Sequence, residues 1–224
     1  SDPAFRPEPF TTLYQRSIYQ EARNLTKLVF NDLRRQLSSY EETLRKEVES
    51  LLQRRSEVDS ILRGVLVEKI KGKKIRVHGD FHLGQILFTG KDFFIFDFEG
   101  EPARSISERK LKFSPVKDLT GLVRSFDYAV NAVLNDNTFR DKDLPFLKPW
   151  ARIWYKVVAS IVVRSYMKTM KGSGLLPEDI GSFKILFNTL LMEKAVYELG
   201  YELNNRPEYV SIPLNGIKSI LEGQ

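Results

Sequence analysis

The chain has 224 residues, with 35 Lys+Arg against 29 Asp+Glu and a net charge of +6. Its 42% hydrophobic and 12% aromatic content excludes a disordered polymer, and no apolar run reaches the roughly 20 residues of a membrane span. With no Cys at all there is no disulfide framework and no thiolate or Cys-based metal site, and "SDPAFRPEPF" lacks the charged and apolar parts of a secretory signal. The expectation is a cytoplasmic protein without a membrane partner.

From Tyr14 to about Leu37, apolar residues at 14, 18, 22, 25, 29 and 33 recur every three or four positions, which predicts an amphipathic helix with Thr11 or Thr12 as its cap. A second, broken helical stretch covers about 41 to 69 and ends at "KGKK". "IRVHGD" (75–80) then reads as a strand, and "QILFTGKDFFIFDFEG" as two β runs joined in a hairpin around Gly90. "EPARSISERKLKFSP" reads as loop. Pro115 suits the first turn of a helix over about 115–135. Further helices are expected at about 145–170 and 178–203, separated by "KGSGLLP", with a short one near 213–222. The fold class is therefore mostly α (α+β), with one small β-hairpin. The basic excess lies in short groups, "KIKGKK" and "ERKLK", without stacking aromatics between them; a solvated face is expected, not a nucleic-acid footprint.

The unusual residues cluster in "HGDFHLGQILFTGKDFFIFDFEGEP" (78–102). Asp80 stands five residues before Gln85, and Asp97 closes the second strand. Phosphoryl transfer needs a carboxylate to orient and deprotonate a hydroxyl, plus oxygen ligands that hold Mg²⁺ on the nucleotide phosphates. Protein kinases arrange these as Asp-x-x-x-x-Asn, a strand, and the Asp of Asp-Phe-Gly. The counterparts are Asp80, Gln85 and Asp97, and hairpin pairing is expected to bring residues 85 and 97 together. That set points to ATP and Mg²⁺ as cofactors. His78 is expected to brace the loop, and Gly79 to allow its tight path. Three roles stay open to His82: orienting Asp80, touching the acceptor, or packing. With two His and no Cys, no zinc cluster is available.

The segment "HGDFHLGQILFTGKDFFIFDFEGEPARSISERKLKFSPVKDLTGLVRSFDYA" resembles the maltokinase family, including the maltokinase modules fused to trehalose synthase, within the aminoglycoside-phosphotransferase-like kinases. The likeness extends upstream through "DPAFRPEPFTTLYQRSIYQEARNL" and downstream to "MEKAVYELGYELNNRPEYVSIPLNGI". "GDFHLGQ" marks the superfamily; "DFEGEPARSISER" and "SPVKDLTGLVRSFDYA" are more specific, and Gln85 stands where broader relatives carry Asn.

The resemblance implies ATP-dependent phosphorylation of maltose to maltose 1-phosphate for α-glucan (glycogen) synthesis. It makes Asp80 the base and Gln85 and Asp97 the Mg²⁺ ligands, with Glu99 supporting the metal through water. It also implies that residues 1–224 form a C-terminal kinase-like lobe: helices over 1–74, catalytic loop and metal-binding hairpin over 75–102, and a helical acceptor-binding region over 103–224. The N-terminal nucleotide lobe, with its phosphate-binding lysine, is expected to be absent from this chain, which leaves the fragment inactive alone. Candidate acceptor contacts are Glu193, Tyr197 and Tyr201, aligned on one helix face, where they either hold a sugar or simply pack. Arg124, Asp127 and Tyr128 form a second polar set. Arg104 and Arg124 are read first as ion-pair partners of the acidic "DFEGE" segment and second as acceptor contacts. The rivals are a kinase-like module that binds a sugar or partner without catalysis, and a phosphotransferase for another hydroxyl.

Overall fold

The computed structural model describes residues 2–135 and 139–223. The described chain is mainly helical, and its contacts divide it into two compact units that do not follow sequence order. One comprises the residues up to Phe10 together with Lys71–Asp179; the other comprises Thr11–Ile70 and Ile180–Gln224.

The second unit is a helical assembly. Helix α1 (Thr12–Gln36) starts where the Thr11 hydroxyl accepts the Tyr14 N–H at 3.2 Å, so Thr11 is the cap. Its inward residues, among them Ile18, Ala22, Val29, Phe30 and Leu33, are buried. The broken stretch resolves into α2 (Glu42–Gln53) and α3 (Arg55–Gly64). It stops at Gly64 rather than near 69, because the turn that follows has another partner for its backbone. The buried Gln15 amide donates to the Val65 and Glu68 carbonyls at 2.7 Å each and accepts the Ile70 N–H at 3.2 Å.

Among the helices numbered in chain order, α7 (Ile180–Asn205) and α8 (Ser211–Leu221) complete this unit. Gly200 faces Val29 so closely that a Cβ would lie 2.8 Å from the valine side chain. That close approach lets α7 bury Leu186, Met192, Val196 and Leu199, and the buried apolar area supplies the main driving force. Near its end, buried Glu202 accepts two bonds from Arg206, at 3.0 and 2.7 Å.

The other unit carries the β structure. Strands β1 (Glu8–Pro9) and β2 (Lys73–Lys74) form a short antiparallel pair, which the sequence reading did not include. Glu8 binds Lys74 and Lys112 at 3.1 and 2.7 Å, and those ammonium groups hold its carboxyl below the usual carboxylate range. Strands β3 (Ile86–Phe88) and β4 (Phe93–Ile95) form the expected hairpin, with Ile86 opposite Ile95 and Phe88 opposite Phe93. The expected strand over 75–80 does not form. Ile75 alone bridges to Phe113, because the His78 and Gly79 N–H groups donate to the Asp118 carboxylate instead of a ladder.

The segment read as loop contains a one-turn helix, α4 (Ile106–Arg109), closed by a Ser105/Glu108 capping box. Two long helices follow. Helix α5 (Val116–Asn135) packs against α6 (Leu144–Met170). Among the described residues, no helix is long and apolar enough to cross a membrane.

Candidate functional site

The loop from His78 to Gln85 is held by one face of α5. Asp118 accepts the His78 N–H at 2.7 Å and the Gly79 N–H at 2.9 Å. Three residues further along, Gly121 lets the helix approach so closely that a Cβ would sit 2.6 Å from the Phe81 carbonyl oxygen. Four residues beyond it, the Ser125 hydroxyl accepts the Leu83 N–H at 3.1 Å. The three positions share a helix face by their spacing. Burial pushes the Asp118 carboxyl above its ordinary value, against the lowering effect of its two backbone N–H donors.

His78 joins this loop to the hairpin. Its Nε2 lies 2.8 Å from the Phe96 carbonyl oxygen; a carbonyl only accepts, so Nε2 carries the proton. The ring packs between Phe81 and Phe98, with centroids 5.4 and 4.8 Å away, and its Nδ1 is buried without a hydrogen-bond partner. Gly79, at φ 88°, abuts Gly100, whose Cα lies 3.3 Å from where a Gly79 side chain would begin. Any side chain there would push the two segments apart.

Within this frame the Gln85 Nε2 donates to Asp97 Oδ2 at 2.8 Å, and the Phe96 N–H donates to the Gln85 carbonyl at 3.2 Å. The contact spans twelve residues, as hairpin pairing predicts. Asp97 is the only described non-glycine residue with positive φ, at 64°. A carboxylate held in that disfavoured region is strained backbone of the kind found at functional sites.

The donor chemistry fits a hard cation. Gln85 and Asp97 together offer amide and carboxylate oxygens. Among the described residues no group of three or more His, Cys, Asp or Glu could hold a metal by itself. Mg²⁺ takes one or two protein oxygen ligands and completes its shell with phosphate and water. One detail differs from the sequence expectation: the amide nitrogen faces Asp97, so ligation through the amide oxygen requires a half-turn of that group. Glu99 is exposed in the turn after the hairpin.

His82 Nε2 lies 3.8 Å from Asp80 Oδ2, beyond hydrogen-bond length. Its Nδ1 accepts the Gly84 N–H at 3.0 Å, which places the proton of the neutral ring on Nε2, on the Asp80 side. Buried Arg124 donates to Asp127 at 2.7 Å, a partner on its own helix. Tyr128 is half-buried on the next turn. Arg104 lies over the Phe113 ring, 5.4 Å from its centroid; the Ser105 hydroxyl and N–H hold the Glu108 carboxyl low, with a smaller effect from the Arg104 charge.

All of these residues belong to the unit containing the hairpin. Glu193, Tyr197 and Tyr201 lie on α7 in the other unit: Glu193 is buried, Tyr197 stacks under Lys194 at 4.8 Å, and Tyr201 packs under Arg206 at 5.3 Å. Sequence reasoning missed Asp118, Gly121 and Ser125. The available signal was their spacing on an otherwise apolar helix face. It also missed Arg109, which binds the Arg104 and Pro102 carbonyls at 2.9 Å each and so fixes the loop after Gly100.

No protein-family model matches the chain. Over 139 residues, 62% of its length, it is 27% identical to a glucosamine kinase of Streptacidiphilus jiangxiensis, and covers 30% of that protein. Its fold matches a glucosamine kinase solved in complex with glucosamine, ADP and inorganic phosphate, with TM-score 0.80, 19% identity, and coverage of 97% of this chain and 50% of that one. A second crystal form of glucosamine kinase gives TM-score 0.80 at 19% identity, with 98% and 49% covered. The fold is shared. The chain spans about half the length of the solved kinases it matches and under a third of the curated relative.

Proposed function

We propose that this chain is the catalytic, acceptor-binding lobe of an ATP-dependent sugar kinase. The observation that carries the reading is the 2.8 Å contact between Gln85 and Asp97 across the hairpin, beside a clamped loop that presents Asp80. The match to half of a sugar kinase supports the same reading.

In this proposal Asp80 accepts the proton of the acceptor hydroxyl as that oxygen bonds to the γ-phosphorus of ATP, while the bond from that phosphorus to the bridging oxygen of the departing ADP breaks. Bound Mg²⁺ supplies charge neutralisation on the phosphates; Gln85 and Asp97 would hold it, with Glu99 acting through water. His82 keeps its Nε2–H on the Asp80 side, 3.8 Å from the carboxylate, where it is available to the acceptor or to the base once substrate is bound. Asp118, Gly121 and Ser125 position the loop, so the base is preorganised before substrate arrives. A nucleotide-binding lobe outside this chain supplies the phosphate-binding lysine. Acceptor contacts come from Arg104 and Tyr128 of the hairpin unit, with buried Arg124 and its partner Asp127 beside Tyr128 on α5.

Maltose is the acceptor favoured by the motif resemblance, which carries with it maltose 1-phosphate formation and association with trehalose synthase. Glucosamine is the second reading, and the names of the relatives support it. Phosphorus NMR of the protein with its nucleotide lobe, Mg-ATP and each sugar in turn decides between them. A sugar-phosphate signal with maltose, lost in Asp80→Asn, supports the first reading. A signal with glucosamine alone replaces maltose, and no transfer to any sugar leaves a binding module in place of the kinase.

A further inference from the structure

Gly100, at φ 82°, lies at the end of the turn that follows Asp97, and there it meets the base loop: its Cα is 3.3 Å from where a Gly79 side chain would begin. The chain runs on to Phe113 and touches the entrance of the same loop again, where Ile75 and Phe113 exchange two backbone hydrogen bonds of 2.9 Å each. Residues 100–113 are thus pinned at both ends to the residues that lead into Asp80. What braces this segment from within sets how firmly Gly100 is held against Gly79.

Arg109 is that brace. It stands in the last turn of α4, the helix started by the Ser105/Glu108 capping box, and its side chain folds back past the helix start. The stem packs under Gly100, where a Cβ would lie 3.3, 3.5 and 3.7 Å from the Arg109 Cβ, Cγ and Cδ. Beyond the stem, Nε donates to the Arg104 carbonyl and a terminal nitrogen to the Pro102 carbonyl, both at 2.9 Å. The Arg104 N–H closes the turn between them by donating to the Glu101 carbonyl at 3.0 Å.

Two features separate this role from those an arginine takes elsewhere on a surface. Both carbonyls precede α4, so the side chain does not cap the C-terminal carbonyls of its own helix. Among the described residues no carboxylate forms an ion pair with Arg109, so its donors serve backbone and not a charge partner. A planar guanidinium can hold two carbonyls at fixed separation, whereas an ammonium is a point charge on a flexible stem.

We propose that Arg109 is a positioning residue: by bracing the turn at Gly100 against Gly79, it sets the separation between the Asp97 carboxylate and the Asp80 base. Its effect on turnover rests on the kinase reading; its effect on geometry rests on the contacts alone. A displacement of about 1 Å in a transfer site costs about 100-fold in rate even when the change lies away from the chemistry.

The test compares Arg109→Ala and Arg109→Lys in the protein with its nucleotide lobe, labelled with ¹⁵N-glycine. Lys keeps the charge and most of the stem but cannot hold both carbonyls, so it reads the guanidinium fork even where Ala fails to fold. In each variant the amide resonances of both Gly100 and Gly79 are expected to move, while that of Gly172, which faces open space, stays in place. Turnover is expected to fall about 100-fold in Arg109→Ala and at least about tenfold in Arg109→Lys, with the acceptor KM within about twofold, the pattern of a group that acts on the transition state. The proposal is overturned if Gly100 moves while Gly79 keeps its resonance, if Arg109→Lys turns over as fast as the unsubstituted protein, or if the loss lies in KM alone. Should the unsubstituted protein transfer phosphate to no sugar, the kinase reading falls, and the glycine resonances still decide the brace: joint movement upholds it, and an unmoved Gly79 overturns it.

Discussion

The Gln85 amide meets the Asp97 carboxylate at 2.8 Å, and Asp97 reaches that position only by adopting φ 64°. Glycine enters this region without steric cost. Asp97→Gly releases that strain but removes the acceptor of the buried Gln85 amide, two effects of about 1 kcal/mol each, so folding stability is expected to change little while phosphoryl transfer falls at least about 100-fold. Denaturant unfolding and ADP release measure the two sides. A variant that is both less stable and fully active would show that the strain serves the fold and not the site.

Asp118 replaces a strand ladder as partner for the His78 and Gly79 N–H groups. An Asn side chain can accept one of these bonds but turns its own N–H₂ towards the other donor. Asp118→Asn is expected to cost about 1–3 kcal/mol and to speed hydrogen exchange at both amides. Burial raises this carboxyl above 3.8, so the folded state keeps a proton that the unfolded state releases. The contribution is most favourable below 3.8 and is lost as pH rises through the folded value. Asn removes that slope, which unfolding curves at a series of mildly acidic pH values reveal.

Gly121 and Gly90 separate steric from conformational roles. At Gly121 a Cβ would strike the Phe81 carbonyl oxygen at 2.6 Å, whereas at Gly90, with φ 90°, it would meet nothing within 4 Å. Gly121→Ala is expected to cost about 2 kcal/mol through backbone displacement and to depress turnover by moving the Asp80 loop. Gly90→Ala is expected to cost about 1 kcal/mol and to leave turnover unchanged. Thermal unfolding and steady-state kinetics on the pair provide the comparison.

Tyr166 donates to the Pro115 carbonyl at 3.3 Å, and burial, with a smaller effect from the Asp118 charge, raises its phenol to about 12. Unfolded tyrosine ionises near 10.0, so between these values the folded state binds the extra proton and stability falls as pH rises. Tyr166→Phe is expected to flatten stability across this alkaline window by nearly one proton. An ultraviolet titration should show one fewer late-ionising tyrosine in the variant.

The sequence by itself determined the long helices and the hairpin, because apolar periodicity and the Gly90 turn are local signals carried by neighbouring residues, whereas the one turn of α4 is too short to show that periodicity. It also brought Gln85 near Asp97, one residue past its register partner Phe96, since hairpin register follows from a short turn. Its errors lie where distant groups compete for backbone. "IRVHGD" has the apolar alternation of a strand, yet the carboxylate of Asp118, about forty residues away, takes the donors a ladder needs. The helix expected to run to 69 stops at Gly64 because Gln15, about fifty residues earlier, binds the carbonyls beyond it. Only the tertiary structure decided that Asp118, Gly121 and Ser125 form the support of the Asp80 loop, and that Gly100 meets Gly79. Both follow from packing between segments far apart in the chain, which no local pattern records.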